Sequence, residues 1–371
     1  MRVLYFTRDH TPHDQRFLTA LSQTEHTVSL LRLERRGPQL EDRALPPQIT
    51  LLPWRGGSRP ARLQDGPALL LDLQRVIREV QPDVIHAGPL QTCAFLAALA
   101  GFRPLVSMSW GSDLLRDADH SRAWRWATRF TLSRSDVLVG DCDAVRRKAG
   151  SFGFPAEKVA LFPWGVDLQR FAPGAEPSAL RARLGWEENF VILSLRSWEP
   201  LYGVEGVVRA FIQASRQNPD LRLLLLGAGS QAALLHEMVL HAGLVDRVHF
   251  GGQVSQTHLP DYYKAADLYV SASHSDGSSV SLMEALASGL PVLVSDIPGN
   301  LEWITPGAQG WLFPDGDTAA LAAGLLQAAA DPARLVGMRS AARALAEARA
   351  DWNKNFKVLL QAYEMARAAR R

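Results

Sequence analysis

The amino-acid sequence predicts an α/β protein made of two Rossmann-like domains facing across a cleft. Three observations carry this prediction: short β-rich runs alternate with helical stretches throughout the 371 residues, several of those runs are apolar almost without a break, and the alternation pauses once at a Pro- and Gly-bearing segment before resuming. Strand–helix alternation implies parallel strands joined by covering helices. A run such as "LRLLLL" at 221–226 reads as a strand buried on both faces, as in parallel sheets.

In the first half the strand runs are "RVLYF" (2–6), "TVSLLRL" (27–33), "ITLLP" (49–53), "DVIH" (83–86), "PLVSMS" (104–109), "DVLVG" (136–140) and "KVALFP" (158–163). Helices fall between them, most clearly at Ala68–Val80, where apolar residues recur at helical spacing. "FAPGAEPSAL" (Phe171–Leu180) brings two prolines and a glycine and reads as the interdomain linker. A second series follows: "FVILSL" (190–195), "LRLLLL", "RVHFGG" (247–252), "DLYVSAS" (267–273), "PVLVS" (291–295) and "GWLFP" (310–314). Beyond Asp331 the chain reads as helical to its end. The expected domains are 1–172, joined by about 353–371, and 173–352.

Net charge is +2, so overall charge points to no partner, and no nucleic acid is expected. Residues 1–175 hold 23 Lys and Arg against 18 Asp and Glu; the remainder holds 17 against 20. A mildly basic first half suits an ordinary solvated surface, an acidic substrate, or peripheral contact of the first domain with anionic lipid. Cys93 and Cys142 are too few for a disulfide framework, which fits a reducing cytoplasm. The first residues read as a strand, not a signal peptide, and no apolar run approaches the ~18 residues that span a bilayer. The expected location is therefore cytoplasmic, free or peripheral at the inner face of the membrane.

The stretch "SHSDGSSVSLMEALASGLPVLVSD" (Ser273–Asp296) concentrates the chemistry. It follows a strand, and open parallel sheets bind ligands beyond the carboxyl ends of their strands. A helix is expected to begin near Ser279 or Val280 and to stop at Gly289, with Pro291 barring continuation. The unpaired amides and positive dipole end of such a helix suit phosphate, and Gly277, without a Cβ, lets a ligand approach the backbone. Asp276 and Glu284 stand eight positions apart across this junction. Ser281-Leu-Met-Glu284 also fits a capping box, and Asp276 also fits an ordinary turn; the residues alone leave these readings open.

"DGSSVSLMEALASGLPVLVSDIPGNLEWI" resembles the acid-x7-acid signature of retaining nucleotide-sugar glycosyltransferases of family 4, which have the GT-B fold. "PDVIHAG", "SWGSDLL", "FPWGVDLQRF", "SLRSWEPLYGVEGVVRAF", "LLLLGAGS", "HFGGQVS" and "YYKAADLYVSAS" fall in the same family order, so the resemblance covers nearly the whole chain. It implies that Glu284 holds the donor ribose and that Asp276 lies near the transferred sugar. It implies further that amides of Gly277, Ser278 and Ser279 meet the sugar or its diphosphate, that Arg196 neutralises the leaving diphosphate, and that Val254 lies near the base. The donor would be a nucleotide-diphosphate sugar, with a UDP-sugar favoured, and the acceptor a glycan or lipid-linked molecule. No metal or other cofactor is implied. The last helix, beginning near Trp352, would cross back onto the first domain.

This chain departs from the family pattern in three places. The R-x4-K pattern from Arg196 ends on Leu201, which cannot pair with phosphate; Asp276 stands where glutamate is more frequent; and Trp110 stands where many relatives carry a histidine. His86 is then the first-domain histidine for a catalytic role, its alternative being a buried strand-end residue. His13, Asp14 and Arg16 after the first strand, with Trp110 and Asp113, are the acceptor-binding candidates. Asp113 fits a helix N-cap equally well, and His10 shares the first loop.

Four rival readings remain. "GAGSQA" (Gly227–Ala232) matches a dinucleotide fingerprint and so an NAD-dependent oxidoreductase, but the following strand ends without the acid that would bind ribose. Asp117/Asp119, Asp141/Asp143 and Asp315/Asp317 resemble D-x-D metal sites, yet each lies near a helix start that favours Asp. Two carboxylates alone suggest a glycosidase, which would not need Arg196. The departures also leave room for a nucleotide-sugar-binding protein without turnover.

Overall fold

The computed structural model describes residues 1–35, 44–174 and 178–370. The chain forms two compact units, Met1–Phe162 with Phe356–Arg371, and Pro163–Asn355.

The first unit contains β1 (Arg2–Thr7), α1 (Pro12–Ser22), β2 (Thr27–Arg32), β3 (Ile49–Leu51), α2 (Gly66–Val80), β4 (Val84–Gly88), α3 (Phe95–Leu99), β5 (Leu105–Met108), α4 (Ser112–Leu115), α5 (Arg122–Arg134), β6 (Val137–Gly140), α6 (Asp143–Ser151) and β7 (Val159–Leu161). Its parallel sheet runs β3-β2-β1-β4-β5-β6-β7, with Val3 in register with both Val28 and Val84. The strands read as apolar runs because both faces are covered: Phe6, Leu31, Ile85, Leu105 and Leu138 are buried with Leu73 of α2.

The second unit repeats the plan with α7 (Ala179–Leu184), β8 (Phe190–Ser194), α8 (Val204–Ser215), β9 (Leu221–Leu226), α9 (Ala232–His241), β10 (Val248–Gly252), α10 (Leu259–Ala265), β11 (Leu268–Ser271), α11 (Val280–Ala287), β12 (Val292–Ser295), α12 (Pro298–Leu301), β13 (Gly310–Phe313), α13 (Thr318–Ala330) and α14 (Pro332–Arg349). The sheet order is β10-β9-β8-β11-β12-β13, the doubly-wound order of a Rossmann sheet. Its core joins Ile192, Leu223, Leu268 and Leu293 to Phe211 of α8 and Leu325 of α13. Every strand overlaps a run read from the sequence.

The chain passes between units at Phe162/Pro163 and again at Asn355/Phe356, so the Phe171–Leu180 segment read as a linker begins inside the second unit; residues 175–177 of it lie outside the described residues. The physical reason is local anchoring. Phe171 is buried edge-on against Tyr263, and Arg343 of α14 donates to the carbonyls of Leu168 and Phe171. The last helix, α15 (Trp352–Ala368), lies mostly in the first unit, where Tyr363 is fully buried.

Candidate functional site in the second unit

In the second sheet the strand order reverses between β8 and β11, and the loops after those two strands diverge at the carboxyl edge, where such sheets take ligands. Arg196 lies just beyond β8, and Asp276 through Ser279 lie between β11 and α11. Residues 80 positions apart in sequence meet here: Arg196 Nη2 donates to Asp276 Oδ2 at 2.6 Å. Its Nη1 donates to Ser279 Oγ at 2.7 Å and to Ser281 Oγ at 3.1 Å. The guanidinium stacks over the Tyr202 ring, 4.4 Å from its centroid.

Burial works to lower the pKa of the Arg196 guanidinium, and the Asp276 carboxylate reverses this, holding it above its ordinary value. The result is a mostly buried cation with a fork of donors at the start of a helix. Asp276 also accepts from the Gly277 amide at 3.0 Å, which orients the carboxylate toward Arg196.

Glu284 is buried on α11 and accepts a 2.9 Å hydrogen bond from the Tyr263 hydroxyl, which also donates to the Ser281 carbonyl at 3.1 Å. Burial and then the Glu284 charge push the Tyr263 phenol well above its ordinary pKa, so it remains a donor. The capping-box reading of Ser281 and Glu284 does not hold. α11 starts at Val280 with Ser279 as its N-cap, which places Ser281 inside the helix, and its hydroxyl meets Tyr269 at 2.7 Å. The helix ends as expected, with Gly289 at φ +69°.

Ser278 Oγ accepts from Trp303 Nε1 at 3.0 Å. Gly299 of α12 comes so close to the loop that a Cβ there would sit 2.3 Å from the Gly277 carbonyl oxygen. The loop carrying Gly277–Ser279 is thus held from behind by α12. Val254 lines an open cavity of about 920 Å³ together with Gln253, Ser255, His258 and Tyr262. Helix α10 links the two places, since Tyr262 faces that cavity and Tyr263 holds Glu284.

Sequence reasoning missed Tyr202 and Tyr263, which contact Arg196 and Glu284. Tyr202 directly follows Leu201, the position where a lysine is expected, and the neighbour of that position was the available signal. Among the described residues Arg196 is the cation that contacts Asp276, Ser279 and Ser281; Leu201 contributes its carbonyl to the His274 amide.

The first-unit candidates gather at the carboxyl edge of their own sheet. The His13 and Trp110 rings lie 5.8 Å apart, both partly exposed, and Arg16 is half-buried on the same helix as His13. Asp14 is buried and engaged locally: with Thr11 it forms the capping box of α1, and it accepts from the Tyr5 hydroxyl at 3.0 Å. Asp113 is equally committed. It accepts from the amides of Leu90, Trp110 and Leu114 and from the Ser109 hydroxyl, all within 3.0 Å. It is not the N-cap of α4, because Gly111 at φ +88° takes that position.

His86 is a core residue. It is 1% exposed, with Nδ1 2.7 Å from the Tyr363 hydroxyl and Nε2 facing Met108, and burial pushes its pKa down to about 3. Strand β4 directs it into the first unit's interior, so the catalytic role expected from its strand-end position lacks access to a ligand.

The glycine-rich "GAGSQA" turn is filled from within. A Cβ on Gly229 would meet the Trp198 carbonyl at 2.4 Å, and Glu199 accepts from the Ser230 amide at 2.8 Å. A carboxylate therefore sits where a dinucleotide phosphate would need that amide. Each D-x-D pair has an aspartate in other work: Asp119 pairs with Lys148 and Arg125, Asp143 with Arg146 and Arg147, and Asp315 with His274, while Asp317 caps α13.

A pair of doubly-wound parallel units, the second bearing an arginine and two acids at its switch point, defines a protein of the GT-B class. The comparisons agree. A family model described as "Glycosyltransferase Family 4" matches residues 15–170, and one described as "Glycosyl transferases group 1" matches residues 178–345. The chain belongs to the group 1 glycosyltransferases.

It is 32% identical over 261 residues to a D-inositol 3-phosphate glycosyltransferase of Kineococcus radiotolerans, a match covering 64% of this chain and 59% of that protein. It is 27% identical over 295 residues to a GDP-mannose-dependent alpha-(1-6)-phosphatidylinositol monomannoside mannosyltransferase of Mycolicibacterium smegmatis, with 75% of each chain covered. The chain thus spans less than two thirds of the first of these relatives. The fold matches that of Anabaena HepE in complex with UDP-glucose, with TM-score 0.79, 22% identity and 98% of both chains covered. It also matches sucrose-phosphate synthase from Thermosynechococcus elongatus, with TM-score 0.81, 19% identity and full coverage of both chains.

Proposed function

We propose that this chain transfers a hexosyl group, with retention at the anomeric carbon, from a nucleotide-diphosphate sugar to a glycan or lipid-linked acceptor in cell-surface polysaccharide or glycolipid synthesis. The observation that carries the proposal is the buried Arg196 fork held by Asp276, Ser279 and Ser281 at the start of α11. Breaking the sugar–phosphate bond builds positive charge on the anomeric carbon and negative charge on the departing diphosphate. A fixed guanidinium beside a helix start stabilises that anion without reorganising, an effect worth several kcal/mol.

Asp276 offsets the cost of burying the Arg196 charge and aims its fork while the site awaits its donor. An arriving diphosphate takes over the guanidinium donors, and the released carboxylate turns to the hexose, orienting its hydroxyls and favouring the oxocarbenium-like state. The acceptor hydroxyl attacks from the face the diphosphate leaves; its proton passes to a diphosphate oxygen as the new glycosidic bond forms. Glu284, aimed by Tyr263, holds the ribose, and the base occupies the cavity beside Val254. Arg196 supplies the charge that a metal would otherwise supply, so turnover proceeds without an added divalent ion and survives chelator.

The named relatives act on inositol phosphate and on phosphatidylinositol monomannoside, which supports a phosphorylated or lipid-linked polyol as acceptor; the working place we propose is the cytoplasm. HepE holds UDP-glucose and the mannosyltransferase uses GDP-mannose; UDP-sugars are the first donors to try. With Leu201 in place of a second cation, binding without turnover is the competing reading.

The test is a thermal-shift screen of UDP-, GDP- and ADP-sugars, since a ligand that binds the folded state raises Tm, followed by a transfer assay with the stabilising donor. A Tm rise with transfer or donor hydrolysis supports the proposal. A rise without turnover across an acceptor panel favours the binding protein, and no rise with any donor overturns both.

A further inference from the structure

We propose that the outward face of α5 in the first unit is a docking surface for an anionic lipid bilayer. Helix α5 turns Thr128, Thr131 and Leu132 inward, which leaves Trp126 on the opposite side, with Phe130, one turn on, partly buried and packed against the edge of the core. Trp126 is 59% exposed, the one aromatic among the large exposed apolar side chains of the described residues. It stacks on Phe130 at 5.6 Å between centroids, and Phe95 of α3 closes the ridge edge-on at 5.7 Å from Trp126 and 5.8 Å from Phe130. Leu99, one turn further along α3, is 37% exposed. Of the other exposed apolar side chains, Leu51, Leu63, Leu71 and Met365 also lie in the first unit but are not aromatic, and Leu240 and Val336 lie in the second.

Charge selects the occupant. Helix α5 carries Arg122, Arg125, Arg129 and Arg134 and no acidic residue. Arg125 is spoken for by Asp119, whereas Arg122, Arg129 and Arg134 have no acidic partner among the described residues; Arg134 lies over the Phe130 ring at 5.6 Å. An aromatic ridge flanked by unneutralised arginines is the arrangement that settles at the headgroup level, with rings at the acyl boundary and guanidinium groups among phosphates. A protein partner would need acidic groups matched to this particular spacing; a bilayer with anionic headgroups supplies them anywhere. No helix of the described residues is long and apolar enough to cross a membrane, so the contact is peripheral. It is independent of the donor chemistry proposed above and, with a lipid-linked acceptor, would hold the first unit where the acceptor resides.

The experiment is co-sedimentation of the full chain with vesicles of phosphatidylcholine plus phosphatidylglycerol, and with phosphatidylcholine alone. Binding to the mixed vesicles, weakened by salt and absent from the neutral ones, is expected. Replacing an arginine near an anionic surface lowers partition roughly fivefold, so Arg122→Ala and Arg129→Ala each bind about that much less, and Trp126→Ser also reduces binding. Leu240→Ser, an exposed apolar position in the other unit, binds as the unaltered chain does. Because Trp126 and both arginines are exposed, unchanged circular dichroism and unchanged Tm with donor are expected for these variants, which separates loss of docking from failure of the donor site. Absence of binding to anionic vesicles, equal binding by Trp126→Ser, or a dimer that Trp126→Ser dissociates without any lipid binding would each overturn the proposal.

Discussion

Arg196 and Glu284 illustrate how neighbours set what a single side chain can do. A mostly buried guanidinium is costly to hold, and Asp276 with two serine hydroxyls makes it tenable. If Arg196 stabilises the leaving diphosphate, Arg196→Ala lowers kcat/KM by about 10²-fold or more; steady-state kinetics with the preferred donor checks this, and a near-normal value would remove Arg196 from the reaction. A lysine there would keep the charge but lose the planar fork that reaches Asp276 and both serines at once. Glu284 has the opposite polarity and a different task. The ribose role proposed for it predicts that Glu284→Ala sharply weakens donor binding, and calorimetry showing unchanged affinity would refute that role.

At the scale of elements, the turn from β5 into α4 shows why a polar residue near a sheet edge need not be a ligand contact. Asp113 reaches across to Leu90 and ties the β4 loop to its own turn by accepting from three amides and a hydroxyl. Burial raises the pKa of its carboxyl, against the pull of those donors. Asp113→Ala leaves several buried donors without an acceptor, so urea unfolding is expected to show a loss of about 3 kcal/mol, with donor affinity preserved because the site lies in the other unit. On α11 the reverse applies: Gly289 and the apolar run set where the helix lies, and the loop before it is left to chemistry.

For the molecule as a whole, the last helix is the piece whose attachment matters most. Chain order would leave α15 with the second unit, yet Tyr363 is buried in the first, where its hydroxyl meets His86. His86 is neutral in the fold, with its pKa pushed down to about 3 by burial, while in the unfolded chain it titrates near 6.5. Below that value the unfolded state takes up a proton that the folded state refuses. Stability is therefore intact above pH 6.5 and falls by up to about 1.4 kcal/mol per pH unit as the pH drops toward 3. Urea midpoints of the unaltered chain and His86→Gln are expected to converge as pH falls through this window; parallel curves would show that His86 does not govern the acid limb.

The sequence by itself determined the two parallel sheets, the position of α11 and the family to which the chain belongs. These depend on local patterns: apolar runs set by burial on two faces, a glycine and a proline ending a helix, an ordered set of short motifs. It also named Arg196, Asp276 and Glu284, through the resemblance those motifs carry. Only the tertiary structure decided that Arg196 and Asp276 hold each other, that Tyr202 and Tyr263 belong with them, that Asp14 and Asp113 are occupied in the first unit, and that His86 is core. Those outcomes depend on strand order and on which side of a sheet each residue faces. Contacts between side chains on separate elements, from Tyr263 with Glu284 to Arg196 with Asp276 eighty positions on, leave no periodicity for the chain to display.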